Sequence, residues 1–289
     1  MEAALSVVGL SIDAQHLLHL LPKGSSTELT LSCDFLIVRE HIADDQESDI
    51  QAHLVAAHIA GRLPEIGIVP EVDIFRSDPY LVARSLASLD ILSNGRAGFA
   101  PLAEPRGSFE IGYAKVGADA AFVGEFIAAV GSLWNNWRPG ALARDWAENR
   151  YVNSRLIRRA DHEGKYFSIR GPLPTPTAIQ PAPFFIAQDH PAHKRIVGRA
   201  SAVITSSEND TNDHRHSLIE KPLRNVSRDD RRFGVLLRVG EDVTSWSELQ
   251  DLSAVAASTL DWSPVSSGNN FTAKFAPHPA AKIAGAAHV

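Results

Sequence analysis

The chain has 289 residues, 44% of them hydrophobic and 21% charged, a globular composition with enough apolar material for a sizeable core. Its net charge of −6 supplies no general basic field for nucleic acid or an anionic membrane, and a single cysteine, Cys33, excludes an intrachain disulfide and any multi-cysteine metal site. No apolar run reaches the roughly 18 residues of a spanning helix, and Met1–Leu10 lacks the basic residues of a secretory leader, so a cytoplasmic protein is expected.

From the N-terminus, the apolar run Leu5–Ile12 predicts a strand, with Asp13 placed to cap a helix over Gln15–Leu21. Leu29–Val38 reads as a second strand, and Asp49–Leu63 as a helix with Ile50, Leu54, Ala57 and Ile59 near helical spacing. Ile66–Val72 predicts a third strand. Asp78-Pro79 then sets a capping carboxylate before a proline at the first helical position, Val82, Leu86, Leu89 and Ile91 or Leu92 supply an inward stripe, and Asn94-Gly95 offers a left-handed stop. Arg96–Leu102 is strand four, and Ala118–Trp134, with Phe122, Phe126, Val130 and Leu133 on one side, is the clearest helix.

Between Trp137 and Pro183 five prolines deny a continuous helix or central strand, and residues 138–182 read as an excursion from a single domain covering 1–289. Alternation resumes with strands at Phe184–Gln188 and Ala202–Thr205 around a helix at Pro191–Ala200, then a strand at Phe233–Val239 and a helix at Val243–Thr259. Such alternation predicts a parallel α/β fold. A closed (β/α)8 barrel, which needs roughly 250 residues, and an open doubly wound sheet both satisfy it.

Phosphate-loop, dinucleotide-fingerprint, hydrolase-elbow and zincin motifs are absent. His214 and His216 could share a metal from alternate strand positions, but their polar surroundings read as a solvated loop. If the barrel forms, strand ends meet at one rim, where Glu40 and His41 after the second strand and Asp73 after the third are candidate mouth residues. Asp189, His190, His193 and Lys194 fall at a strand-to-helix junction, where a helix N-terminus can hold an anion; simple capping explains Asp189 or His190 equally well.

DPYLVARSLASLDILSNGRAG (Asp78–Gly98) resembles the segment after the third strand in luciferase-like, flavin-dependent monooxygenases of the nitrilotriacetate and dibenzothiophene sulfone monooxygenase type. EFIAAVGSLWNNW (Glu125–Trp137) and DHEGKYFSIRGPLPTP (Asp161–Pro176) resemble that family's next helix and loop, and VREH (Val38–His41) its acidic second strand end. The similarity covers roughly Thr30 to Thr205. It implies a luciferase-like (β/α)8 barrel whose mouth takes reduced FMN from a partner flavin reductase, activates oxygen on the flavin and oxidises a small organic substrate. It also implies a homodimer. On that reading Glu40 and His41 are the catalytic candidates, with Asp73, Ala100, His190, His193 and Lys194 around the cofactor.

The chain departs from the family where cofactor contacts would fall. Phe99, Ala100, Pro101 and Leu102 stand where polar ring contacts are usual, Ala120 or Ala121 where a tyrosine is usual, and Gln188-Asp189-His190 replaces a small-residue phosphate loop. Asp189 would repel a phosphate, whereas His190, His193, Lys194 and Arg195 could grip one. Little chain follows Ile204, so the last barrel units are expected to be compressed or incomplete. Two other readings stay open: a non-catalytic relative or divergent ligand-binding barrel that has lost flavin, and a deazaflavin-dependent reductase.

Overall fold

The computed structural model describes residues 7–24, 28–40, 50–102, 120–174, 182–186, 202–205, 217–222 and 234–262. Eight parallel strands make the central layer: β1 (Val8–Asp13), β2 (Phe35–Arg39), β3 (Gly67–Asp73), β4 (Gly98–Leu102), β9 (Ala182–Ile186), β10 (Ala202–Thr205), β11 (Ser217–Pro222) and β12 (Gly234–Arg238). They pair in ring order β1-β2-β3-β4-β9-β10-β11-β12, and β12 closes on β1 through Val8 to Val235 and Ser11 to Arg238. The open doubly wound sheet is therefore excluded.

Five α-helices are described: α1 (Ala14–Leu20), α2 (Ala52–Ala60), α3 (Pro79–Leu92), α4 (Ala120–Trp134) and α5 (Trp246–Thr259). The connections between successive strands from β9 to β12, including the predicted helix at Pro191–Ala200, lie outside the described residues. Local chemistry sets the described starts. Asp13 accepts from the Gln15 and His16 amides, and Asp78 from those of Tyr80 and Leu81 with Pro79 at the first position. The stop of α3 is the left-handed pair Asn94 (φ 56°) and Gly95 (φ 81°).

Strand alternation divides the core in two. Val8, Leu10, Ile12, Leu36, Val38, Ile68, Val72 and Phe99 pack outward against the helices, while Val7, Phe35, Ile37, Val69, Ala100, Ile204, Leu218 and Leu236 form a separate cluster filling the barrel interior. The inward stripe of α3 holds at Val82, Leu86 and Leu89 but not at Ile91 or Leu92, which are exposed; in α2 Ile59 is buried, whereas Leu54 is exposed and Val55 and Ala56 face inward instead. The second strand is also shorter than Leu29–Val38. Leu29 hydrogen-bonds through its amide to the Arg62 carbonyl, and regular pairing starts only at Phe35.

Gly9 is required by the interior packing. A Cβ there would lie 2.3–2.8 Å from three atoms of the Phe35 ring, which crosses the barrel over this glycine. Gly9→Ala is expected to cost about 1–3 kcal/mol by overpacking, read by urea unfolding, and a Phe35→Leu second change should recover part of that loss. Purely additive losses would rule out this contact as the cause.

The proline-rich excursion forms two hairpins on the barrel flank, β5–β6 (Leu142–Asp145, Arg150–Val152) and β7–β8 (His162–Glu163, Ser168–Ile169). Phe122 of α4 stacks on Phe75 at 5.0 Å and meets Phe167 of the second hairpin at 5.3 Å, joining the excursion to the helix layer.

Candidate active site at the barrel mouth

Interior-facing positions turn polar toward the C-terminal strand ends. Above Phe35, Ile37, Val69 and Ala100 come Ser11, Glu71 and Asp73, all buried, with the half-buried Arg39 and Glu40 and the exposed Arg238 at the rim. Register places Asp13 beside Arg39, Glu71 beside Ala100, Asp73 beside Leu102, and Ser11 beside Arg238. A barrel fold puts catalytic groups on this face because several strand ends converge there.

Glu40 links the rim to the helix layer. Its backbone amide donates to Glu71 Oε2 at 3.0 Å, and its own Oε2 accepts from the Ala52 amide at 2.9 Å. Gln51, at the N-cap of α2, makes no side-chain capping bond, so the carboxylate of Glu40 serves the helix start instead. Burial pushes the Glu40 carboxyl up to about 7; the Ala52 amide opposes this, Glu71 and Asp73 reinforce it, and Arg76 opposes it. A carboxyl divided between its two protonation states near neutrality can give or take a proton. Asp73 Oδ1 accepts from the Phe75 amide at 3.0 Å, turning the chain sharply after β3.

The sequence-predicted residues divide accordingly. Glu40 and Asp73 do meet at the mouth. Ala100 belongs to the apolar floor, and Phe99 beside it points away from the barrel interior, its ring 5.8 Å from Trp134 in an edge contact, so it does not plug the mouth. His41, His190, His193 and Lys194, together with Asp189, His214 and His216, lie outside the described residues. Sequence reading missed Ser11, Arg39, Glu71 and Arg238. The available signal was period two: Val69, Glu71 and Asp73 share one face of a strand whose other face is apolar. Cys33 offers no nucleophile, because burial holds its thiol well above the ordinary range. Among the described residues no group of three or more His, Cys, Asp or Glu side chains could hold a metal ion, and no helix is long and apolar enough to cross a membrane.

Apart from VREH, whose Arg39 and Glu40 reach the mouth, the segments carrying the family resemblance hold the frame. Arg96 donates to the carbonyls of Ala60, Leu63 and Ile66 at the opposite end of the barrel from the mouth. Glu125 of α4 accepts three successive amides, Lys165 at 3.0 Å, Tyr166 at 2.9 Å and Phe167 at 2.8 Å, which binds the β7–β8 turn to the helix. Gly164 leaves room for that carboxylate, since a Cβ there would lie 2.0 Å from Glu125 Oε1. Asn136 Oδ1 accepts from the Leu173 amide and Trp137 Nε1 donates to the Leu173 carbonyl, fastening the end of the excursion. Glu125→Ala is expected to cost about 2 kcal/mol, with hydrogen exchange accelerating first at Lys165–Phe167. Unchanged exchange at these amides would contradict the anchoring role.

No family model matches this sequence. Nitrilotriacetate monooxygenase component A of Aminobacter aminovorans is 31% identical over 193 residues, covering 64% of this chain and 42% of that protein. Dibenzothiophene-sulfone monooxygenase of Rhodococcus erythropolis is 29% identical over 214 residues, covering 68% and 47%. Among solved structures, DmoA from Hyphomicrobium sulfonivorans superposes with a TM-score of 0.54 at 14% identity, over 70% of this chain and 52% of that one. Riboflavin lyase RcaE gives 0.56 at 18% identity, over 89% and 70%. The fold is therefore the luciferase-like (β/α)8 barrel. By sequence the chain is a homologue of the nitrilotriacetate and dibenzothiophene-sulfone monooxygenases, and it spans about half the length of these curated relatives.

Proposed function

We propose that this barrel serves a two-component, flavin-dependent monooxygenase that takes reduced FMN from a separate reductase and oxidises a small organic substrate. The observation that carries the reading is the convergence of Ser11, Arg39, Glu40, Glu71 and Asp73 over an apolar floor at the mouth of a barrel whose sequence relatives are monooxygenases. That floor, with Ala100 in it, suits the face of a planar ring. Ser11 and Arg39 are the donors, and the phosphate end falls to His190, His193 and Lys194. Bound reduced FMN would supply the activation of dioxygen, while this chain's residues bind, orient and exclude water. Glu40, with His41 next to it, is the candidate proton carrier, and Asp73 borders the ring site. A homodimer would cover the exposed Leu54, Leu81, Ile91 and Leu92 on the outer faces of α2 and α3.

One observation favours the second reading, a non-catalytic or differently liganded barrel. Glu40, Glu71 and Asp73 crowd three carboxyl groups at the mouth, a poor setting for an anionic cofactor. The test is titration of the full chain with FMN under reducing and oxidising conditions, followed by oxygen uptake with an added flavin reductase and NADH. Saturable binding of reduced FMN supports the first reading; no binding at near-millimolar flavin supports the second.

A further inference from the structure

The excursion carries a surface that nothing in the flavin reading uses. Between Arg138 and Arg170 the chain has eight basic and four acidic residues, a net +4 in a chain of net −6. All eight basic residues are exposed. At the first hairpin Trp146 is 80% and Tyr151 55% exposed, their rings 6.1 Å apart. Trp, Tyr and Arg are the residue types that dominate protein-binding hot spots, and here they share one short arm.

The opposite charge stands on the other side of the same molecule. From Val239 to Trp262 the chain has five acidic residues, Glu241, Asp242, Glu248, Asp251 and Asp261, and neither lysine nor arginine. Val255 of α5 is 62% exposed in this segment, a place for an aromatic ring to settle. The helix α5 packs where the ring closes, with His16 Nε2 against the Val243 carbonyl and Trp262 Nε1 on Asp34. The arm is held by α4, between β4 and β9 in the chain. Four strands separate the two places by either path around the ring, so the arm cannot reach α5 of its own barrel.

We infer that the basic, aromatic arm at residues 138–170 docks on the acidic α5 face of a second copy of this chain. Because the two patches lie on opposite sides of one barrel, both cannot face the same partner. The contact is therefore heterologous, head to tail, and extends assembly beyond a two-fold pair. Charge complementarity makes it salt-sensitive and sets its register, while Trp146 and Tyr151 supply the buried anchor.

The test is sedimentation velocity of the full chain across a concentration series in low and high salt, after nuclease treatment. The expected result is reversible growth in mass beyond the two-fold pair at low salt, lost at high salt. Trp146→Ala/Tyr151→Ala should abolish that growth. Arg144→Glu/Arg155→Glu and Glu241→Lys/Asp251→Lys should each abolish it alone and restore it when the two variants are mixed, since each then presents the charge the other needs. Unchanged melting temperatures would show that the variants fold. Mass independent of salt, growth that survives the arm variants, growth removed by nuclease, or no recovery on mixing would each overturn the inference. None of these readouts depends on flavin, so the outcome is separate from that of the monooxygenase reading.

Discussion

Arg96→Ala is expected to lower the unfolding free energy by about 2–3 kcal/mol, the scale for taking a charge-assisted donor from half-buried carbonyls. The guanidinium sits in the connection between α2 and β3, where Nη1 donates to the Leu63 carbonyl at 2.7 Å and to that of Ile66, and Nη2 to that of Ala60 at 2.9 Å. Those carbonyls end α2 and lead into β3, so they lack the partners a regular element would give them. Burial draws the Arg96 pKa downward, with Glu65 opposing, as befits a guanidinium partly withdrawn from water. Alanine would leave three carbonyls without donors. Lysine, a point charge without the planar fork, should recover no more than about half the loss. Urea unfolding of wild type, Arg96→Ala and Arg96→Lys gives the comparison. A loss below about 1 kcal/mol for alanine would mean that water satisfies these carbonyls and that the fork is incidental.

That result also bears on what the resemblance can teach. Asp78, Pro79, Asn94, Gly95 and Arg96 cap, stop and tie down α3, and Glu125, Asn136 and Gly164 hold the excursion on α4. Each is a requirement of backbone geometry, which is why these segments were recognisable from sequence and why they establish the barrel rather than its chemistry. The cap at Asp13, the stripe Phe122–Phe126–Val130–Leu133 and the strand Ala202–Thr205 were legible for the same reason: local rules decide them.

Other features depended on partners distant in the chain. The strand Ser217–Pro222 escaped reading because Glu220, Lys221 and Pro222 interrupt its apolar character, and pairing with Ala202–Thr205 on one side and Gly234–Arg238 on the other defines it. Leu54 looked inward by spacing, but the phase of α2 follows the small residues Ala52, Ala56 and Ala60, which let the helix approach the sheet. At the mouth, Glu40 and Asp73 could be placed by strand ends alone. Their proximity to Glu71, and the use of Glu40 to cap α2, arise from closure of the ring and could not be read from spacing.

Glu40 carries the second large effect, on pH dependence. Its folded pKa, about 7, stands above its unfolded value, near 4.5, so the folded state binds this proton more tightly. The slope of stability with pH is then negative between these values. The stabilisation is fully present below about pH 4.5, declines as pH rises, and is gone above about pH 7, a change of about 3 kcal/mol for a shift of this size. Burial also pulls the His53 pKa down, and that group works in the opposite direction, losing stability as pH falls. Glu40→Gln separates the two. The amide oxygen can still accept from Ala52 but cannot ionise, so the variant should match wild type near pH 4.5 and exceed it by about 3 kcal/mol at pH 8. If the proton at Glu40 also serves turnover, the same substitution should abolish the matching limb of the rate profile while reduced FMN still binds. Equal stability of the two proteins at both pH values would show that Glu40 is solvated and ordinary, and would remove it as the proton carrier of the mouth.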